Sequence, residues 1–223
     1  DYAYTVDGGR VGEISYETFN AASAVFTLRG VNIHPGAAKG KMINCCLIAA
    51  ELLSMFPKDE TPATTEGREG FYHIESVETG IETGKISLII RDHDAKRFEE
   101  RKAFVSSVRD ALAARYGEKN VQVEIKDSYR NCKEKILPHM HLVEHAKAAL
   151  ESLSVRAEIL PVRGGTDGAT LSYMGLPCPN LGTGGHNCHS VREYISVQSI
   201  EKNVEVLLAI IKRYAKYGAN IIK

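Results

Sequence analysis

Two histidines three apart, His186 and His189 in Gly-Gly-His-Asn-Cys-His-Ser, close a polar stretch over residues 163–194 that holds Gly164, Gly165, Gly168, Gly175, Gly182, Gly184 and Gly185. Imidazole nitrogen is a common zinc donor, and so many glycines let backbone come close to a ligand. The same pattern also suits an ordinary connection between a strand and a helix. Asp7 presents a second candidate, because Asp7-Gly8-Gly9 ends an alternating aromatic run at Asp1-Tyr2-Ala3-Tyr4-Thr5-Val6. Open α/β sheets place ligand-contacting groups at the carboxyl ends of strands. A turn aspartate that caps its own backbone is the alternative. His34 lies in Gly-Val-Asn-Ile-His-Pro-Gly, where Pro35 and Gly36 hold a turn that could aim the ring outward. Asn131 follows Tyr129-Arg130 and reads either as a cleft residue or as the exit from a domain. His141 and His145 share a helix face at metal-ligand spacing, but no Glu follows the first of them, so with His139 they read as a solvated face.

The elements that must position these groups come from periodicity. Residues 22–32 alternate as a strand, residues 39–56 carry apolar side chains at helical spacing until Pro57, and residues 71–79 and 84–92 read as two strands around a glycine turn. Residues 95–116 then form a helix with Phe98, Val105, Val108 and Leu112 toward a core, and residues 121–125 form a strand. The order β-α-β-β-α-β is the split βαβ, ferredoxin-like arrangement. Its expected limits are 20–132. Beyond it, residues 138–153 read as a helix, 155–162 as a strand and 166–174 as a short helix. Residues 196–217 read as an amphipathic helix capped by Ser196, with Val204, Leu207, Leu208 and Ile211 inward. Residues 1–19 and 133–223 are therefore expected to form a second α/β layer, interrupted by the inserted domain.

Composition limits the chemistry further. Lys and Arg number 28 against 28 Asp and Glu, with no basic run, which argues against a nucleic-acid or membrane surface and for a small substrate. The five cysteines form no C-x-x-C pair, and Cys45 and Cys46 are adjacent in an apolar run, which suits a reducing cytoplasm better than a disulfide framework.

Four landmarks then carry a resemblance: Asp7 in YTVDGG, His34 in RGVNIHPGAAKG, Arg163 in RGGTDG and His189 in GTGGHNCHSVREY, with YRNCKEKI and LSYMGLPCPN between them. In this order they resemble the tripeptide aminopeptidases among the di-zinc aminoacylase-like metallopeptidases. The resemblance implies that Asp7 binds one zinc and His189 the other, and that His34 reaches the oxyanion from the partner subunit of a homodimer formed through the inserted lid domain. It further implies that Arg163 grips a substrate carboxylate, for which the guanidinium fork is suited. Asn131 is a further candidate for that cleft. The family's His-x-Asp and Glu-Glu segments, which precede the position of Asp7, have no counterpart here. The chain thus resembles the carboxyl-terminal part of such an enzyme, is not expected to hold a zinc pair or cut peptides alone, and should expose apolar surface that the parent buries. A stable non-catalytic module that binds a partner chain is the alternative expectation.

Overall fold

The computed structural model describes residues 1–219 and shows an α/β chain in two compact units. One comprises Asp1–Phe19 with the chain from Arg130 onward, the other Asn20–Tyr129. The first segment contributes β1 (Thr5–Val6) and β2 (Glu13–Ser15). The second unit follows as β3 (Asn20–Arg29), α1 (Cys45–Met55), β4 (Phe71–Thr79), β5 (Thr83–Asp92), α2 (Ala95–Tyr116) and β6 (Val121–Tyr129). The chain then returns to the first unit with α3 (Lys133–Ile136), α4 (His141–Ser152), β7 (Glu158–Ile159), α5 (Asp167–Tyr173), β8 (Asn180–Leu181), β9 (Gly185–His186), β10 (Tyr194–Ile195) and α6 (Val197–Tyr217).

In the Asn20–Tyr129 unit the sheet order is β4-β5-β3-β6, antiparallel throughout, which is the ferredoxin-like order. Alternation along β3 sends Ala22, Ala24, Phe26 and Leu28 to one face, where they meet Ile86, Leu88 and Ile90 of β5 and the apolar stripes of α1 and α2 in one buried cluster. The helix α1 starts at Cys45, six residues later than periodicity implies. Asn44 explains the difference, because its Oδ1 accepts the Cys46 N–H at 2.9 Å and caps the helix there, while Ile43 is bridged to Val31. The strand β6 in turn runs four residues beyond Ile125 because it stays paired with β3 up to Ala21 and Tyr129.

In the other unit the sheet order is β1-β8-β2-β7, with β1–β8 and β2–β7 parallel and β8–β2 antiparallel. Ile14, Leu181, Val143, Ala146, Val206 and Ile210 are buried together where α4 and α6 cover this sheet. The strand expected over residues 155–162 shrinks to Glu158–Ile159. Pro161 has no N–H to donate, although Leu160 and Val162 still bond to Ile14 and Glu17. The helix expected from Pro138 begins instead at His141, after a short 3₁₀ turn at Leu137–His139 with Pro138 near its start.

Two expectations fail here. His141 and His145 are not a solvated face but lie buried where α6 packs on α4. The His141 Nδ1 meets the Tyr214 hydroxyl at 2.8 Å, Tyr214 meets Tyr4 at 3.4 Å, and Tyr4 donates to the Leu142 carbonyl at 2.6 Å. His145 Nε2 donates to the Gly218 carbonyl at 3.0 Å, as the only available sense with a carbonyl acceptor. The inward face of α6 also differs in part: Leu207 packs against the core as expected, beside the buried Val206 and Ile210, whereas Val204, Leu208 and Ile211 are exposed. Helical spacing shows which residues share a face, but here two neighbouring faces are apolar and spacing alone does not say which one the core takes.

Burial lowers the pKa of both histidines, with His145 and His139 adding to the effect at His141, and with Arg213 opposing the Gly218 carbonyl at His145. The unfolded value is about 6.5. A folded pKa below the unfolded one means that the unfolded chain binds more protons. The stability these groups contribute is therefore present above about pH 6.5 and is lost as the pH falls through the folded values. Thermal unfolding followed from pH 8 to pH 5 should show a falling Tm, at up to about 1.4 kcal/mol per pH unit for each group that titrates. A double His141→Gln/His145→Gln variant should show a flatter profile over the same range. A profile as steep as that of the unaltered chain would assign the acid sensitivity elsewhere.

Candidate functional site

A cavity of about 280 Å³ opens in the unit built from both ends of the chain, and it is lined by Asp7, Gly8, Gly9, Glu13, Arg163, Thr166 and Asn180 among others. Its geometry starts at β1. Parallel pairing with β8 brings Thr5 beside Asn180 and Val6 beside Leu181, so Asp7 emerges at the carboxyl end of β1. The turn after it needs Gly8 and Gly9, whose φ values of 54° and 65° are left-handed. That turn is laced to the strand beside it. Asp7 N–H donates to Leu181 at 3.0 Å, Thr183 N–H to Gly8 at 2.6 Å and Gly184 N–H to Gly9 at 2.9 Å.

Asn180 is the functional-site residue that pattern reading missed. It is buried, accepts the Thr5 hydroxyl at 2.9 Å and donates through Nδ2 to the Asp7 carbonyl at 2.6 Å. The available signal was a carboxamide set between Pro179 and Leu181 in an otherwise apolar run. Gly182 is needed for close approach. A Cβ there would sit 2.1 Å from the Arg10 carbonyl oxygen, and its N–H donates to Glu13 at 2.9 Å. The Gly182→Ala variant should therefore lose about 1–3 kcal/mol through overpacking, read as a Tm lower by several degrees. An unchanged Tm would mean that the Arg10 turn yields freely.

Arg163 is half-buried, with its guanidinium 5.2 Å above the Phe19 ring, and lines the same cavity as the Asp7 turn. Thr166 follows it and caps α5, its hydroxyl accepting the Ala169 N–H at 3.3 Å. Asn131 does not line this cavity. Its Oδ1 accepts the N–H groups of Thr18 at 3.1 Å and Lys133 at 3.0 Å, so it ties the start of α3 to the segment before β3. His34 belongs to the other unit, at an exposed turn. Its Nδ1 accepts the Gly36 N–H at 3.2 Å, which leaves the proton of the neutral ring on Nε2.

His186 and His189 have different settings. His186 lies in β9, opposite Tyr194 of β10, and stacks on that ring at 4.9 Å with 22° between the planes. His189 stands at the exposed tip between those strands with φ at +66°. Its N–H donates to Glu193 Oε2 at 2.9 Å, Asn187 Nδ2 donates to the Arg192 carbonyl at 3.2 Å, and Ser190 N–H donates to Asn187 at 3.1 Å. These bonds hold a left-handed backbone that a non-glycine residue disfavours. Glu193 is thus a second residue whose part pattern reading missed. Asp7 and His189 offer the carboxylate oxygen and imidazole nitrogen that zinc accepts. No group of three or more His, Cys, Asp or Glu able to hold a metal occurs among the described residues, so the donor types fit zinc and the donor number does not complete a site.

Comparison with known proteins adds three findings. Residues 16–120 match the family model described as Peptidase dimerisation domain. The chain is 54% identical over 215 residues to a Peptidase T from Halothermothrix orenii, covering 96% of this chain and 53% of that protein, and 50% identical to one from Caldanaerobacter subterraneus with 98% and 53% covered. It thus spans about half the length of the curated relatives it matches. Among solved structures it is similar to the aminopeptidase PepT of Bacillus cereus, at 26% identity and a TM-score of 0.82, covering 96% of this chain and 57% of that one. A tripeptidase from Staphylococcus aureus shares the fold at a TM-score of 0.85 and 22% identity.

Proposed function

We propose that this chain, which resembles peptidase T over about half of that protein's length, supplies one part of the active site and the dimerisation domain of a cytoplasmic metallo-aminopeptidase that releases the first residue of tripeptides. The observation that carries the reading is the cavity that the Asp7-Gly8-Gly9 turn and Arg163 line together. In the complete protein Asp7 and His189 would each hold one of two zinc ions with donors from outside this chain. Zinc bound there would supply a water that ionises near neutral pH and a Lewis acid for the scissile carbonyl.

This chain's own residues have separable tasks. Arg163 binds the carboxylate of the peptide through two parallel N–H bonds, which fixes the length of substrate that fits. Asn180, Thr183 and Gly184 hold the Asp7 turn in place through their bonds to the Asp7, Gly8 and Gly9 carbonyls. His34 offers an Nε2 proton to the oxyanion that develops at the carbonyl, and reaches it from the partner subunit of a homodimer formed through the Asn20–Tyr129 unit. Preorganised donors of this kind contribute about 10²–10³-fold.

The test compares this chain alone with a complete protein that includes it, measuring tripeptide hydrolysis and bound zinc. Activity and about two zinc ions in the complete protein, with neither in the chain alone, is the expected result. A complete protein that binds no metal and cuts no tripeptide would overturn the reading. The second reading, a non-catalytic dimerisation module, rests on the match over residues 16–120 and would then stand if the chain alone is dimeric.

A further inference from the structure

We infer that the cleft where the end of α1, the start of β4 and the first half of α2 meet is a binding site for a small zwitterion with an apolar body, an α-amino acid with a large and preferably aromatic side chain. A cavity of about 520 Å³ opens there, a size usual for small-ligand sites. All the residues that line it belong to the Asn20–Tyr129 unit, whereas Asp7 and Arg163 lie in the other. Met55 of α1, Tyr72 of β4 and Phe104 of α2 make one side of it apolar. The Phe104 ring packs on Phe56 and Tyr72 with centroids 5.6 and 5.5 Å apart, yet Phe104 and Met55 stay only half-buried. A large apolar side chain laid against them would complete a cluster that is open on one side, and a ring would add stacking.

Charge decides the rest of the ligand. Arg97, Glu100, Arg101 and Phe104 follow one another at i, i+3, i+4 and i+7 and so share a face of α2, and Glu60 completes the charged lining. Arg101 and Glu60 are committed, since this guanidinium pairs with Glu60 and with the buried Asp92. The other two are available. Arg97 is exposed and forms no ion pair among the described residues, and Glu100 meets only Lys96, at 3.8 Å, with both side chains mostly in water. One cation and one carboxylate thus stand three residues apart beside an apolar wall. An anionic ligand would bring a like charge to Glu100 and a cationic one a like charge to Arg97, whereas a zwitterion pairs with both. The guanidinium of Arg97 takes a carboxylate through two parallel N–H bonds, and Glu100 accepts from an ammonium group. An apolar amino acid is also what the proposed reaction would release, but the inference rests on the cleft alone and is read by binding, without turnover.

The experiment titrates this chain with L-phenylalanine by calorimetry, beside glycine, which lacks the side chain, phenethylamine, which lacks the carboxylate, and 3-phenylpropionate, which lacks the ammonium group. L-Phenylalanine should bind at least about tenfold tighter than each of the three, the effect of one lost charge-assisted bond or one lost apolar contact. Arg97→Gln should weaken L-phenylalanine about tenfold and remove its advantage over phenethylamine, and Glu100→Gln should remove its advantage over 3-phenylpropionate. Both positions are exposed, so the Tm without ligand should not change, which separates a lost contact from a lost fold. Phe104→Leu, which keeps the wall apolar and removes the ring, should weaken phenylalanine more than leucine. Arg163→Gln should leave the affinity unchanged. No saturable binding of L-phenylalanine up to about 10 mM would overturn the inference, as would glycine that binds as tightly, or binding that Arg97→Gln and Phe104→Leu leave intact. Binding lost in Arg163→Gln but kept in Arg97→Gln would place the amino acid in the Asp7 cavity and overturn it too.

Discussion

If His189 holds zinc as proposed, His189→Ala in the complete protein should remove most of the bound zinc and most of the tripeptide hydrolysis, since a metal that is lost no longer activates its water. His186→Ala should cost at most about 10–100-fold, as changes one step removed from a metal do. The difference follows from the loop between β9 and β10. His186 is committed to the hairpin, paired with and stacked on Tyr194, so its ring already has a structural neighbour. His189 has none of that. It is held at the exposed tip through its backbone, by the 2.9 Å bond to Glu193, in a left-handed conformation. Zinc content and turnover measured for both variants decide the matter. Activity retained in His189→Ala but lost in His186→Ala would exchange the two roles, and full activity in both would detach this loop from the metal.

The parts of the fold that pattern made legible are those where one period dominates. β3 from Ala22 onward and β5 bury every second residue and α2 carries a single buried stripe, so the split βαβ order in the Asn20–Tyr129 unit follows from spacing. The other unit is built from strands of two or three residues, too short for alternation to mark, and they are held by backbone bonds to distant segments such as β1 to β8. In the same unit, α6 has two adjacent apolar faces, and His141 and His145 look like polar surface until distant groups pair with them, the Tyr214 hydroxyl with His141 Nδ1 and the Gly218 carbonyl with His145 Nε2. The candidate site divides in the same way. Asp7 and Arg163 stand beside glycines at motif positions and the structure places both at one cavity, whereas Asn180 and Glu193 act through backbone contacts that no spacing rule reports.

Arg101→Ala should destabilise the Asn20–Tyr129 unit by about 3–5 kcal/mol, and the reason is a charge rather than a cavity. Asp92 ends β5 with its side chain only 3% exposed, and Arg101 of α2 reaches it with Nε at 2.8 Å from Oδ2. The same guanidinium pairs with Glu60 and lies 5.0 Å above the Tyr72 ring, whose hydroxyl pKa burial raises to about 12 against the lowering effect of Arg101. The other oxygen of Asp92 accepts the Asp94 N–H at 2.9 Å, at the residue that caps α2. One ion pair therefore joins the end of β5, the start of α2 and the segment before β4. Gly70 has to be glycine beside it, since a Cβ there would come within 2.2 Å of Asp92 Oδ2. Removing the arginine leaves a buried carboxylate without its partner, whereas removing both charges does not. Chemical denaturation should accordingly show a large loss for Arg101→Ala, and a smaller one for the double variant Arg101→Leu/Asp92→Asn, despite its two altered side chains. A double variant less stable than Arg101→Ala alone would show that the pair stabilises by attraction beyond its desolvation cost, and a loss below about 1 kcal/mol for Arg101→Ala would place the pair with exposed ion pairs.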